Sequence, residues 1–356
     1  MRLPSRRQLA IGASGLAVTG TAAGLALGYG AKKLLDHMRM ADLRGEVALI
    51  TGGSRGLGFA IAKELAGEGC RVVLCARNAD ALEWAHEELT RDGAEVMTVV
   101  CDVGKQEEVD AMVRQVVERF GVIDILVNNA GNIAVGPIES QTLEDFEEAM
   151  QVMFWAQVYT TLAVLPHMMH RRYGRIANIT SIGGKISVPH LVPYGCAKFA
   201  AVGFSEGIAA ELAKDNIRVT TVVPGLMRTG SHVNAQFKGD HRSEYSWFSL
   251  GATSPLSAIS ARRAARSTVN AIRRGQAEII LSLPAKLAVW FHGLLPGTAI
   301  TLAGIANRVM PGTGNRDKER HSGKQSETAI SRSFLTKLGR DAGHRLHQFP
   351  EERRAL

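Results

Sequence analysis

The run Glu46-Val-Ala-Leu-Ile-Thr51 leads straight into Gly52-Gly53-Ser54-Arg55-Gly56-Leu57-Gly58, and that turn opens a segment of helical period from Phe59 onward. A strand that must turn tightly into a helix accepts few side chains. Gly52 permits the turn, Gly56 lets backbone approach a pyrophosphate, and Gly58 lets helix and strand pack closely while the helix N-terminus faces the anion. Glycine clusters alone are weak evidence, but the strand-turn-helix context points to a dinucleotide site lined by Ser54, Arg55 and Leu57 as well as the glycines.

From Glu46 to Ser282, short apolar runs alternate with longer segments of helical period, as in a parallel sheet with helices on both faces. Strands are expected near 46–51, 71–76, 95–101, 124–128, 174–180, 217–223 and 277–282. The fold class is therefore α/β, a doubly wound sheet of seven mainly parallel strands. Right-handed crossovers bring every strand's C-terminal end to one edge, where ligands bind. The second strand ends Cys75-Ala76-Arg77, where an NAD site would carry an acidic residue for the ribose hydroxyls. Arg77, helped by Arg55, suits a 2′-phosphate instead, so the cofactor expected is NADP(H). Asp80 follows closely and fits the first turn of the next helix.

At this point the chain resembles the short-chain dehydrogenase/reductase family, with its Rossmann-type fold, over residues 44–283. Thr51 to Gly58 resembles the family's TGxxxGxG, Asp102-Val103 its adenine-contacting pair, and Asn128-Asn129-Ala130-Gly131 its NNAG. Ser181, Tyr194 and Lys198 resemble its catalytic Ser and YxxxK, and Pro224-Gly225 with Thr229 resembles the stretch holding the nicotinamide carboxamide. The resemblance implies cofactor contacts from Asn129, Ala130, Gly131, Tyr194 and Lys198 too. It also implies a homodimer or homotetramer, paired through helices at 143–172 and 193–215.

Tyr194 and Lys198 are i and i+4, so a helix puts the ammonium near the phenol. Carbonyl reduction needs a hydride and a proton for the developing alkoxide. A phenol of reference pKa about 10 supplies that proton, and a neighbouring cation makes it a better base for the reverse reaction. Ser181, ending the fifth strand, is placed to hydrogen-bond the substrate oxygen. One residue departs from the family pattern. Where the family carries Asn in a V-N-x-x-G context, to kink the helix and hold a relay water, this chain has Val152-Met153-Phe154-Trp155-Ala156. A thioether cannot replace an amide there. The expectation is an altered proton relay with hydride transfer retained; a decayed NADP(H)-binding scaffold is the non-enzyme alternative.

The ends of the chain differ from its middle. The formal net charge of +8 divides into +5 over residues 1–40, +4 over 312–356 and −1 between them, which disfavours a nucleic-acid face. No charge occurs between Gln8 and Ala31, and 23 residues from Leu9 would span about 35 Å as a helix, enough for a bilayer. Six of those residues are Gly and seven are Ala, which contribute little to insertion. Three readings stand: an anchor helix, which we favour, a twin-arginine export signal beginning Ser5-Arg6-Arg7, and an amphipathic surface segment. Residues 284–311 hold two apolar stretches parted by Pro296-Gly297, read as a helical hairpin in the membrane interface, over an apolar site, or packed on the catalytic domain. A polar, poorly ordered tail is expected over 312–356.

Cys70, Cys75, Cys101 and Cys196 show no metal-ligand spacing, so no metal site is expected. Phe237, Tyr245, Trp247 and Phe248 lie in a lid-like segment that suits an apolar substrate. Together these features point to a membrane-associated enzyme, its catalytic domain (41–283) on the cytoplasmic side, acting on a lipophilic ketone or aldehyde. A reductase of carrier-bound 3-ketoacyl thioesters is the rival.

Overall fold

A computed structural model describes residues 40–254, 257–313, 318–329, 331–333 and 336–349. The chain divides into two units, 1–41 and 42–356, and the expected N-terminal anchor lies outside the described residues. The second unit is built on a sheet of β1 (Val47–Thr51), β2 (Arg71–Ala76), β3 (Val96–Val100), β4 (Ile125–Asn128), β6 (Gly174–Ile179), β7 (Ile217–Val223) and β11 (Glu278–Ile280). Their order is β11-β7-β6-β4-β1-β2-β3, and every pairing is parallel. The chain leaves β3 at one edge and returns to pair β4 with β1, which opens a crevice at the C-terminal ends of β1 and β4.

The helices follow local signals. In α1 (Gly56–Gly67) the buried face runs from Leu57 to Leu65, because this helix packs against the sheet directly after the turn. The side chain of Asn78 accepts from Ala81 N and starts α2 (Ala79–Arg91), whose first turn carries Asp80 and last turn Arg91, as the helix dipole favours. Gly121, in the left-handed region at φ 79°, ends α3 (Gln106–Phe120). A capping box of Thr142 and Asp145 starts α4 (Leu143–Met150). This helix passes through a π turn, Gln151–Trp155, into α5 (Ala156–Arg171). Next comes α6 (Val192–Leu212), which carries Tyr194 and Lys198.

Beyond β7 the chain builds a cover over the crevice. It comprises β8 (Met227–Arg228), β9 (Gln236–Phe237), α7 (His241–Thr253) and β10 (Ile259–Ser260), with β8 pairing β10 and β9 pairing β5 (Ala134–Val135). The chain then enters α8 (Ala261–Arg274) and β11. After β11, Ser282 caps α9 (Leu283–Leu294), from which the chain bends by 120° into α10 (Pro296–Asn307). Among the described residues no single helix is long and apolar enough to cross a membrane.

The segment expected as a loose polar tail is different. It contributes β12 (His321–Ser322), antiparallel to β9, and α11 (Lys337–Arg345), which packs on α7. The polar groups find partners: Arg320 Nε donates to Asp145 Oδ1 at 3.0 Å, and Arg320 also pairs with Glu148. Small residues do the rest. A Cβ on Gly343 would meet the Phe349 ring at 2.5 Å, and one on Gly230 would meet Gly343 Cα at 2.4 Å, so this approach requires glycines.

Candidate active site

The crevice is a cavity of about 930 Å³ at the C-terminal ends of the strands. Its lining includes every cofactor-binding and catalytic residue expected from sequence except Gly58: Gly52, Ser54, Arg55, Gly56, Leu57, Arg77, Asp102, Val103, Asn129, Ala130, Gly131, Ser181, Tyr194, Lys198, Pro224, Gly225 and Thr229. Gly58 acts from behind. A Cβ there would stand 2.3 Å from Gly52 O and 2.5 Å from Asn129 Nδ2, so glycine is what lets α1 begin so close to β1.

The glycine turn and the NNAG segment are one hydrogen-bonded body. Thr51 Oγ1 accepts from Asn129 N at 3.0 Å and Ala130 N at 3.1 Å, while Asn129 Nδ2 donates to Thr51 O and Gly52 O. Behind it, Asn128 Nδ2 donates to Asn178 Oδ1 at 2.8 Å and Asn178 Nδ2 to Ser205 Oγ at 3.0 Å, tying β4, β6 and α6 together with their buried amides satisfied. Arg55 has its guanidinium pKa lowered first by burial and then by the charge of Arg77. Two cations thus converge at the end of β2. Asp102 is partly committed to its own loop, accepting from Gly104 N at 3.0 Å.

Ser181, Tyr194 and Lys198 share one wall. Ser181 Oγ accepts from Gly183 N at 3.0 Å, which fixes the hydroxyl at the end of β6. Burial raises the Tyr194 phenol above its ordinary value, and a hydrogen bond with Ser181 acts against that. Lys198 is buried, donates from Nζ to Ile179 O at 2.9 Å, and lies 5.9 Å from the Tyr194 ring centroid. Burial lowers its pKa to about 8, so the ammonium persists at neutral pH. This arrangement holds a protonated phenol beside a cation and a fixed hydroxyl, a set able to deliver a proton to a substrate oxygen.

Met153 sits in the π turn, buried against Ala149, Ala197 and Tyr194. Its Cγ lies 3.4 Å from where a Cβ on Gly131 would stand, so it wedges the NNAG segment from the helix. The helix departs from α geometry without any asparagine. Gln157, one turn on, is buried with both amide atoms unpartnered among the described residues.

Of the four aromatics read as a substrate surface, Trp247 and Phe248 line the cavity. Phe237 and Tyr245 belong to the small core behind it, packed ring to ring at 5.2 Å. Glu244 fixes the Trp247 ring by accepting from Nε1 at 2.7 Å, and its other oxygen meets His190 Nδ1 at 2.6 Å. Sequence reasoning missed Asn234 and Gln348, and α9 adds Pro284, Ala285 and Ala288 to the rim. For Gln348 the only signal was the Gly339–Gly343 spacing, which marks a helix with a close-packed face.

A family model described as short chain dehydrogenase matches residues 46–238. The chain is 36% identical over 275 residues to a dehydrogenase/reductase SDR family protein 7-like of Anopheles gambiae, covering 74% of this chain and 85% of that one. It is 40% identical over 192 residues to a Streptomyces coelicolor protein named as a ketoacyl reductase, covering 53% of this chain and 74% of that one. Among solved structures, a variant of actinorhodin polyketide ketoreductase with NADPH superposes with a TM-score of 0.59 at 31% identity, over 67% of this chain and 95% of that one. With the sheet order, the glycine turn and the Ser-Tyr-Lys wall in place, the chain belongs to the short-chain dehydrogenase/reductase family, oxidoreductases that bind NAD(P)(H) and act on small molecules.

Proposed function

We propose that this protein is an NADP(H)-dependent ketoreductase in which Tyr194 is the general acid/base for a lipophilic ketone or aldehyde. The observation that carries the reading is the meeting of Ser181, Tyr194 and Lys198 on the wall of the cavity that begins at the glycine turn. The chain's own residues fit a phosphorylated dinucleotide: Gly58 clears the helix start, and Arg55 and Arg77 face a 2′-phosphate with alanine where an acid would repel it. When bound, the nicotinamide supplies the hydride. Tyr194 gives its proton to the substrate oxygen as charge develops there, Ser181 donates a hydrogen bond to the same oxygen, and Lys198 stabilises the phenolate left behind. A phenol kept above its ordinary pKa stays protonated at neutral pH, which suits the reducing direction.

The apolar side of the reading comes from the cavity rim. Trp247, Phe248, Leu226, Leu191 and Ala288 line it, and α9 continues outward into a hairpin of exposed apolar side chains. Residues 283–311 carry Lys286 and Arg308 and no acid, which favours association with an anionic membrane surface. Relatives named as ketoacyl reductases support a second reading, a carrier-bound 3-ketoacyl thioester, for which salt-sensitive kinetics and preference for the carrier-bound form are the marks.

NADPH oxidation by the protein lacking residues 1–40, against carbonyls graded by chain length and polarity, tests the proposal. Turnover should rise with apolar length, and Tyr194→Phe should cut kcat by about 10³-fold. NADPH binding without Tyr194-dependent turnover on any carbonyl would move the assignment to a cofactor-binding scaffold.

A further inference from the structure

The chain's far end returns to the glycine turn. After α11, residues 346–349 touch the first two helices and the cover, and Gln348 lines the cavity. His347, in the left-handed region at φ 56°, stacks on Trp84 of α2 with centroids 4.2 Å apart and planes 5° from parallel. Gln348 N donates to Gly343 O at 2.9 Å, closing the turn after the helix. Asn234 Nδ2 donates to Gln348 Oε1 at 2.6 Å and to Gln348 O at 3.2 Å, while Asn234 Oδ1 accepts from Arg55 at 3.3 Å.

Two contacts fall on Gly56 itself. Its N–H, the first of α1, donates to Leu346 O at 3.0 Å. The position a Cβ would take on Gly56 lies 2.7 Å from Gln348 Nε2. In a strand-turn-helix site of this type the helix N-terminus offers its N–H groups to the pyrophosphate, and the second glycine lacks a side chain so that the anion can approach. Here a carbonyl oxygen already holds that donor, and an amide stands in the cleared space. A second, fully anionic oxygen cannot share the N–H or approach the carbonyl dipole without repulsion.

We infer that residues 346–348 form an internal competitor that occupies the pyrophosphate's seat and leaves it when the dinucleotide binds. The inference rests on the reading of this cavity as a dinucleotide site. The stack and the hydrogen bonds named above are each individually weak, and the inference requires the seated and released states to lie within a few kcal/mol of each other. Cofactor affinity is then reduced by the fraction of molecules in which the seat is free. Arg55 changes partner in the same step, from Asn234 to the cofactor's phosphate.

Hydrogen exchange on the full chain, with and without NADPH, tests this directly. Exchange should slow at 52–60 and speed up at 340–349 when NADPH binds. The double variant His347→Ala/Gln348→Ala, which removes the stack and the Asn234 bond to the Gln348 side chain while leaving the glycine turn and Arg55 intact, should bind NADPH about tenfold more tightly. A single variant, Gly339→Val, supplies an independent check: a Cβ there would meet Thr253 Cγ2 at 2.1 Å, so it unseats α11 from the opposite side and should move affinity the same way. Slower exchange at 340–349 with NADPH, or weaker or unchanged NADPH binding in both variants, overturns the inference and leaves the cofactor site standing. No protection at 52–60 removes the dinucleotide reading, and the inference with it.

Discussion

The hairpin α9–α10 and the strap that follows it, the described residues of 318–349 with β12 and α11, reverse the usual relation between composition and burial. The hairpin is apolar over most of its length yet buries only Ala285, with Trp290 63% exposed and Leu294 80% exposed. The strap is rich in Ser, Gly and charge, yet Ser326, Ser331, Thr336, His347 and Gln348 are buried against the cover and the glycine turn. Burial of polar groups requires partners at defined positions, which the strap has within this chain. Apolar helices require only a medium of the right kind, and the catalytic unit offers the hairpin little of it.

The largest effect is expected where the strap is anchored. Asp145, buried, pairs with Lys238 and Arg320 and accepts from Thr142 N at 2.7 Å, joining α4, the cover and the strap through one carboxylate. Asp145→Ala strands the Lys238 ammonium, which is 2% exposed, so urea unfolding should show a loss of about 3–5 kcal/mol. Burial alone would raise the Asp145 pKa, but hydrogen bonds from Lys238 and Thr142 outweigh it and hold the carboxyl below its ordinary value. A carboxyl depressed in the folded state contributes stability above the unfolded value of about 4, and that contribution is lost as pH falls through the lower folded value. Acid should therefore release the strap in the wild type and have a smaller effect in the variant. If Asp145→Ala unfolds like the wild type, polar partnering is not what holds the strap.

Lys198 sharpens the same point by contrast with Lys238. Both ammonium groups are buried, but Lys198 has the Ile179 carbonyl and, among the described residues, no carboxylate partner. Its pKa is lowered to about 8 by burial, so between pH 8 and the unfolded value of 10.5 the unfolded chain binds the extra proton. Stability from this group rises with pH across that window and is missing below it. Lys198→Met should thus raise stability near neutrality by about 1–3 kcal/mol while abolishing turnover, a trade expected of a residue kept for chemistry. A destabilised Lys198→Met would show that the ammonium is structurally satisfied.

How legible these regions were follows from the same physics. The inner strands of this parallel sheet are buried on both faces and read as largely apolar runs, and the observed bounds of all seven fall within two residues of those expected. The glycine turn and the Tyr194–Lys198 spacing are local and were visible at once. The strap was not, because its contact with Gly56 runs through the Leu346 carbonyl, a group common to every residue. The π turn at Met153 is unmarked in the sequence for a related reason: the family pattern puts an asparagine there, and the widened helix is present without one.

The smallest effect on stability belongs to the hairpin, and it is the most informative about the comparison. Trp290 and Leu294 make few contacts that folding would lose, so Trp290→Ser/Leu294→Ser in the unit of residues 42–356 should change unfolding free energy by less than about 0.5 kcal/mol. The same pair should lose binding to vesicles of equal parts phosphatidylcholine and phosphatidylserine, since apolar area and Lys286 with Arg308 act together at such a surface. Turnover of a short, water-soluble ketone should be unchanged and that of a vesicle-held one reduced, because α9 contributes Ala285 and Ala288 to the cavity rim. If instead the parent unit ignores vesicles and the variant shifts from dimer to monomer, the hairpin's missing partner is a second protein surface. The two C-terminal segments would then both be ordinary packing elements, one satisfied within the chain and one between chains.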